Sequence, residues 1–237
     1  MVMMALVPWG HDHAQADDSI PSVMMLQLPG LSNPDKTGAY ARVIRELKFA
    51  GLVKSFTVGK NHRRAHRDFL NKTASCLAPS SFDLVESYKL DLSDFALSYP
   101  FNIAKAYLYK AVDPIVLPGD KPILADVGLG LQYGIDTSKY KLLSLSKFEH
   151  ALNLVSNNRI SAAYITYPDV MREEVAQQQI KDFKGEKKLV WSGDEGILCH
   201  KEYTSMLYKV SDRIRQWEKS GRLAKMLGKY STESLEE

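Results

Sequence analysis

Cysteine is scarce in this chain: Cys76 and Cys199 are the only two among 237 residues. They stand far apart, outside any CxxC and with no flanking His/Cys set, which excludes a zinc site of the usual spacing. Two separate buried thiols are the expectation, with pairing in an oxidising compartment as the alternative. Long apolar runs are missing as well. None approaches the ~20 residues of a membrane-spanning helix, so no such span is expected. Strong charge of one sign is also lacking, since the net charge is only +3, too mild to name a polyanionic partner by itself. Nucleophile, zinc-protease and nucleotide-binding signatures (GxSxG, HExxH, Walker) are absent from the sequence, and the adjacent pairs Glu173-Glu174 and Asp17-Asp18 offer poor geometry for acid and base roles. Neither an enzyme nor a cofactor is expected, and no metal site.

What is present begins with an unusual leader. "MVMMALVPWGHDHAQADDS" has a short apolar segment followed by Ala14-Gln15-Ala16, the small-x-small pattern of a signal-peptidase site, yet the first basic residue is Lys36. Residues 1–19 are read as the back end of a secretory signal that starts upstream of Met1, an unstructured leader being the alternative. His11 and His13 flank Asp12 in this leader.

Charge is uneven further on. Residues 42–72 carry nine Lys or Arg against Glu46 and Asp68, a local +7, which leaves 3 − 7 = −4 for the remainder. One reading is a basic nucleic-acid-binding protein using residues 42–72; the preferred one is a set of solvated helix faces.

Periodicity places the elements. Ser22 to Leu26 is a strand, and Tyr40, Val43, Ile44 and Leu47 mark a helix buried on one face and ended by Gly51. "SFTV" is a second strand, so strand, helix, strand predicts a parallel crossover unit. "HRRAHRDFL" is a helix with Phe69 and Leu70 inward; "DFALSYPF" and "AKAYLYKAV" are extended. "KPILADVGLG", "YKLLSL" and "SAAYITY" are strands, and Ser146 with Glu149 forms a capping box ahead of a helix. "KKLVW" and "GILCHKE" are read as two further strands. Val210, Ile214 and Trp217 share one helix face and Leu223, Met226, Leu227 and Tyr230 another, with Gly221 as the joint between two short helices.

That ending, "SGRLAKMLGKY" after a helix, resembles the close of the family 3 extracellular solute-binding proteins, the two-lobed receptors of ABC uptake systems. Four more segments occur in matching order: "ALSYPF" (96–101), "ILADVGLGLQYG" (123–134), "SKFEHALNLVSNNRISAAYI" (146–165) and "DEGILCHKE" (194–202). The likeness spans about residues 20–230 and is strongest after residue 94. It implies a two-lobed α/β fold of the type II periplasmic-binding-protein kind with two hinge crossings. Lobe one would be 20–100 plus 200–237, and lobe two 101–199. It also implies a monomeric, non-catalytic periplasmic protein that captures a small solute for an ABC permease or a membrane sensor, with no nucleic acid as partner. Such lobes close on ligand by hinge bending.

The chain departs from that family where an amino acid would be gripped. Asp91 stands where members carry an Arg for the substrate carboxylate. Ser161 replaces the usual Asp, and the acidic residue that takes the α-amino group is replaced around Thr166-Tyr167. A standard α-amino acid is therefore not the expected ligand. The candidate lining is neutral and aromatic: Ser87, Tyr88, Ser98, Tyr99, Phe101, Gly130, Gln132, Tyr133 and Tyr167, suited to a flat or polyhydroxylated solute. The glycines of residues 128–134 would let the backbone approach an anion if a helix began there.

Overall fold

The computed structural model describes residues 20–28, 30–59, 62–127, 133–145, 148–166 and 174–231. The leader 1–19, Ser146 of the capping box and three lining candidates, Gly130, Gln132 and Tyr167, lie outside the described residues.

The chain opens as the crossover predicts. Strand β1 (Ser22–Leu26) leads through helix α1 (Ala39–Phe49) to β2 (Ser55–Gly59), and helix α2 (His62–Leu70) returns to β3 (Cys76–Ser80). β1 pairs in parallel with β2 on one side and β3 on the other. The two crossovers step in opposite directions, so right-handedness puts α1 and α2 on opposite faces of the sheet. The basic stretch 42–72 is thereby divided rather than gathered into one patch. Several of its cations have local partners: Arg42 donates to the Met226 carbonyl at 3.1 Å, and Arg64 lies 3.6 Å from Asp68. Tyr40, Val43, Ile44 and Leu47 are fully buried, as their spacing predicts, and Gly51 (φ 72°) ends α1.

After α3 (Phe82–Ser87) come β4 (Phe95–Leu97) and β5 (Asn102–Lys110), then β6 (Ile123–Val127), β7 (Lys141–Leu145), α4 (Phe148–Ser156), β8 (Ala162–Thr166) and α5 (Glu174–Asp182). The two strands expected near the C-terminus prove to be one. β9 (Glu186–His200) runs 15 residues without a break. Its first part pairs antiparallel with β5 from Glu186 to Glu195, and its last part pairs with β3 and β4. The strand order is β2-β1-β3-β9-β5-β8-β6-β7, with β4 also on β9. β9 therefore belongs to both halves of the sheet. Helices α6 (Thr204–Lys219) and α7 (Arg222–Leu227) close the chain, with Gly221 (φ 68°) between them and their apolar stripes buried.

The core divides in the same way. One cluster joins Val23, Ile44, Phe69, Leu77, Ile197, Ile214, Trp217 and Tyr230. Beyond the crossing, Tyr109, Ala125, Leu152 and Ile165 pack on one face of β5-β8-β6, while Ala106, Leu108, Leu124 and Tyr164 pack on the other.

Two corrections concern β3. The sequence reading assigned no strand there, because a five-residue run containing Pro79 reads as loop; β3 is nonetheless fully buried between β1 and β9. Cys76 and Cys199 face each other across the antiparallel β3–β9 pair, Cα atoms 4.1 Å apart, and form a disulfide rather than two separate thiols.

His66 on α2 is buried, with Nδ1 lacking a hydrogen-bond partner, edge-on to Tyr88 at 6.4 Å. Burial, and secondarily the charge of His62, lowers its pKa to about 4. The unfolded chain takes up this proton near pH 6.5 and the folded chain only near 4, so the contribution is complete above 6.5 and is lost as pH falls through that window. A drop of 2.5 pH units corresponds to about 3 kcal/mol. Chemical denaturation at pH 7.5 and 4.5 should show that loss, and His66→Phe should flatten it; equal pH dependence in the variant would refute the assignment.

Candidate functional site

In open α/β sheets ligands gather beyond the carboxyl ends of parallel strands. Here those ends are the β3–α3 junction in the first half and the ends of β6 and β8 in the second. Aromatic and acidic side chains meet between them.

Tyr133 follows β6. Its neighbour Gly134 has φ 74°, and a Cβ there would collide with the Val190 carbonyl, so this turn lies directly on β9. That placement sets the Tyr133 ring against Trp191, centroids 5.0 Å apart and tilted 36°. The Tyr133 phenol lies near Ser87 at the end of α3, in the other half. Burial, then the nearby Asp83 carboxylate, pushes its pKa well above the ordinary value.

Tyr164 on β8 is register partner to Asp126 on β6, so both point to the same face. Asp126 is only 5% exposed and Tyr164 1%. The Tyr164 hydroxyl, beside the Tyr133 backbone, makes no hydrogen bond of normal geometry. Burial raises its pKa, and the Asp126 and Asp83 carboxylates add to the rise. Both phenols stay protonated at neutral pH.

A second cluster sits where the chain crosses between halves. Phe101 N–H donates to Glu195 O at 2.8 Å and Ser98 N–H to Ile197 O at 2.9 Å. Ser98 Oγ accepts from Ile197 N–H at 2.9 Å and donates to Tyr99 O. Gly196 packs so closely here that a Cβ would meet Ser98 Oγ at 2.9 Å. Beneath the crossing the Tyr40 hydroxyl donates to the buried Glu195 carboxylate at 2.6 Å and accepts from the Asn102 amide at 2.6 Å. Phe101 lies edge-on to Tyr40 at 5.0 Å.

The nine lining candidates therefore separate. Ser87, Tyr88 and Tyr133 come together between the halves. Ser98 and Phe101 are buried in the crossing. Tyr99 turns toward α6, where its N–H donates to Ser211 Oγ, its hydroxyl donates to Glu218 at 2.8 Å and Arg215 lies over its ring. The described residues after the glycine-rich segment form a turn and a 3-10 turn at Thr137–Lys139, not the helix start that anion binding would use. Sequence reasoning missed Asp83, Asp126, Tyr164 and Trp191. A visible signal existed for one of them: Asp126 is a carboxylate inside the apolar strand "ILADV". His200, unassigned in sequence, stacks on Phe69 at 4.6 Å and bonds its carbonyl.

No family model and no curated protein matches this sequence. Solved structures do. The GluR0 ligand-binding core from Nostoc punctiforme in complex with L-glutamate aligns with TM-score 0.62 at 13% identity, over 89% of this chain and 98% of that one. A mutant of ArgBP from T. maritima gives 0.61 at 17%, over 88% and 93%. An arginine 3rd transport system periplasmic binding protein from Legionella pneumophila gives 0.59 at 13%, over 89% and 98%. With these similarities, and with β5 and β9 crossing between two packed halves, the chain has the two-lobed α/β fold of type II periplasmic-binding proteins with two hinge crossings.

Proposed function

We propose that this is a divergent family 3 solute-binding protein: a secreted, non-catalytic receptor that captures a small polar molecule between its lobes for ABC-type uptake. The observation that carries the reading is the meeting of Tyr133, Ser87, Tyr164 and Trp191 between the carboxyl strand ends of the two halves. The lobes are taken as 20–100 plus 200–237 and 101–199; separate cores support a division into two halves, with Phe101, Ala104 and Ile197 to Cys199 packing into the first core. The disulfide favours an oxidising compartment such as the periplasm. Among the described residues no helix is long and apolar enough to cross a membrane. The substitutions at Asp91 and Ser161 argue against a standard α-amino acid, although similar structures carry glutamate or are named for arginine.

A thermal-shift screen of sugars, organic acids, amines and amino acids tests the reading. A true ligand at a hundredfold excess over Kd adds ~2.7 kcal/mol of stability. If no small molecule raises the midpoint, the receptor reading is wrong and a protein-partner role replaces it.

A further inference from the structure

The interlobe cluster also carries a sign, and hence a ligand class, on the reading that the lobes enclose a small solute. Three features converge there. Tyr133 and Trp191 form an aromatic wall with centroids 5.0 Å apart. Asp126, nearly buried, lies beside Tyr164 through the β6–β8 register. The Tyr164 hydroxyl is enclosed without a normal hydrogen bond, next to those same groups.

We propose that the ligand is an organic cation, an amine or quaternary ammonium without a carboxylate, held by the Tyr133–Trp191 wall and the Asp126 and Asp83 carboxylates, with the Tyr164 hydroxyl turned to its polar part. Aromatic faces attract ammonium groups through the ring quadrupole, most strongly when water is excluded. A carboxylate beside Tyr164 attracts the positive charge, and near-burial of Asp126 leaves that attraction less screened than at a surface. An anionic solute would meet like charge. The cross-lobe influence of Asp83 on Tyr133 and Tyr164 places a second negative group on the opposite lobe. Asp83 is fixed there by Ser81, which donates to it at 2.8 Å. Closure would then bring both carboxylates to one cation, so ligand binding and lobe approach reinforce each other.

The test uses the full chain with putrescine, choline, glucose and succinate, followed by thermal shift and titration calorimetry. Putrescine or choline should raise the midpoint, and succinate and glucose should not. Asp83→Asn, near the surface, should weaken cation binding tenfold or more. Tyr164→Phe should keep the fold and lower affinity by a smaller factor. Asp126→Asn should abolish measurable binding; should that variant not fold, Asp83→Asn carries the test. Preference for succinate or glucose overturns the cation assignment while leaving the receptor reading intact. Failure of both cations overturns it too, and silence from every solute in the wider screen overturns the receptor reading as well.

Discussion

Reducing the Cys76–Cys199 disulfide will lower the unfolding midpoint by about 10–15 °C. The bond spans 123 positions of sequence, and in the chain-entropy picture a cross-link of that reach restricts the unfolded chain by about 5 kcal/mol, with measured losses of about 2–5. For a chain of this size each kcal/mol is about 2–4 °C. The location adds to the effect. The two sulfurs tie β3, which follows two crossovers from the N-terminal side, to the end of β9, which has just returned from the far half. Scanning calorimetry with and without a phosphine reductant, and on Cys76→Ala/Cys199→Ala, measures this directly. A midpoint unchanged by either treatment would remove the bond from the account.

Tyr40→Phe will destabilise the fold by about 2–4 kcal/mol, far more than its single oxygen suggests. The hydroxyl is the centre of a buried chain, Asn102 to Tyr40 to Glu195, with both distances 2.6 Å. Its removal takes one charge-assisted bond from Glu195, worth about 1.5–3 kcal/mol, and the acceptor from the Asn102 amide, a buried donor whose lost partner costs about 1–3 kcal/mol. Tyr99→Phe is the control. It removes a surface bond to Glu218, where exposed charges contribute about 0–1 kcal/mol. Urea denaturation of both variants should separate them clearly, and similar losses would contradict the ranking. Burial first, and then Glu195, raises the Tyr40 pKa well above 10. The folded phenol thus stays protonated where the unfolded one ionises, so stability holds below pH 10 and declines above it.

The fold was legible where burial was one-sided. α1 declared itself through Tyr40, Val43, Ile44 and Leu47 because a helix on a sheet buries a stripe and leaves Arg42, Arg45 and Lys48 outside. The C-terminal pair was equally clear, with Gly221 supplying the left-handed turn between stripes. β3 was hidden for the opposite reason. It is buried on every residue, too short for a period to show, and contains a proline. Missing that strand concealed the disulfide, since nothing in spacing alone sets Cys76 opposite Cys199. β9 looked like two strands because Gly193 and Gly196 interrupt it. These glycines are instead close-packing positions, against the Trp191 ring and Ser98.

The candidate site was legible in its aromatics and not in its charges. Ser87, Tyr88 and Tyr133 stood out as a hydroxyl and two tyrosines near turns. Tyr164, Asp126 and Trp191 lie within strands, where residue type alone does not reveal which face a side chain takes. Only the register of β6 on β8 sets Asp126 beside Tyr164. On the cation reading proposed above, Asp126 and Asp83 would join the expected neutral and aromatic lining.

The most direct measurement of lobe closure is small-angle scattering of the full chain with and without a saturating ligand found in the thermal screen. Hinge closure draws two rigid halves together about β5 and β9, so the radius of gyration should fall on binding. A ligand that binds tightly while leaving the scattering curve unchanged would contradict capture between moving lobes.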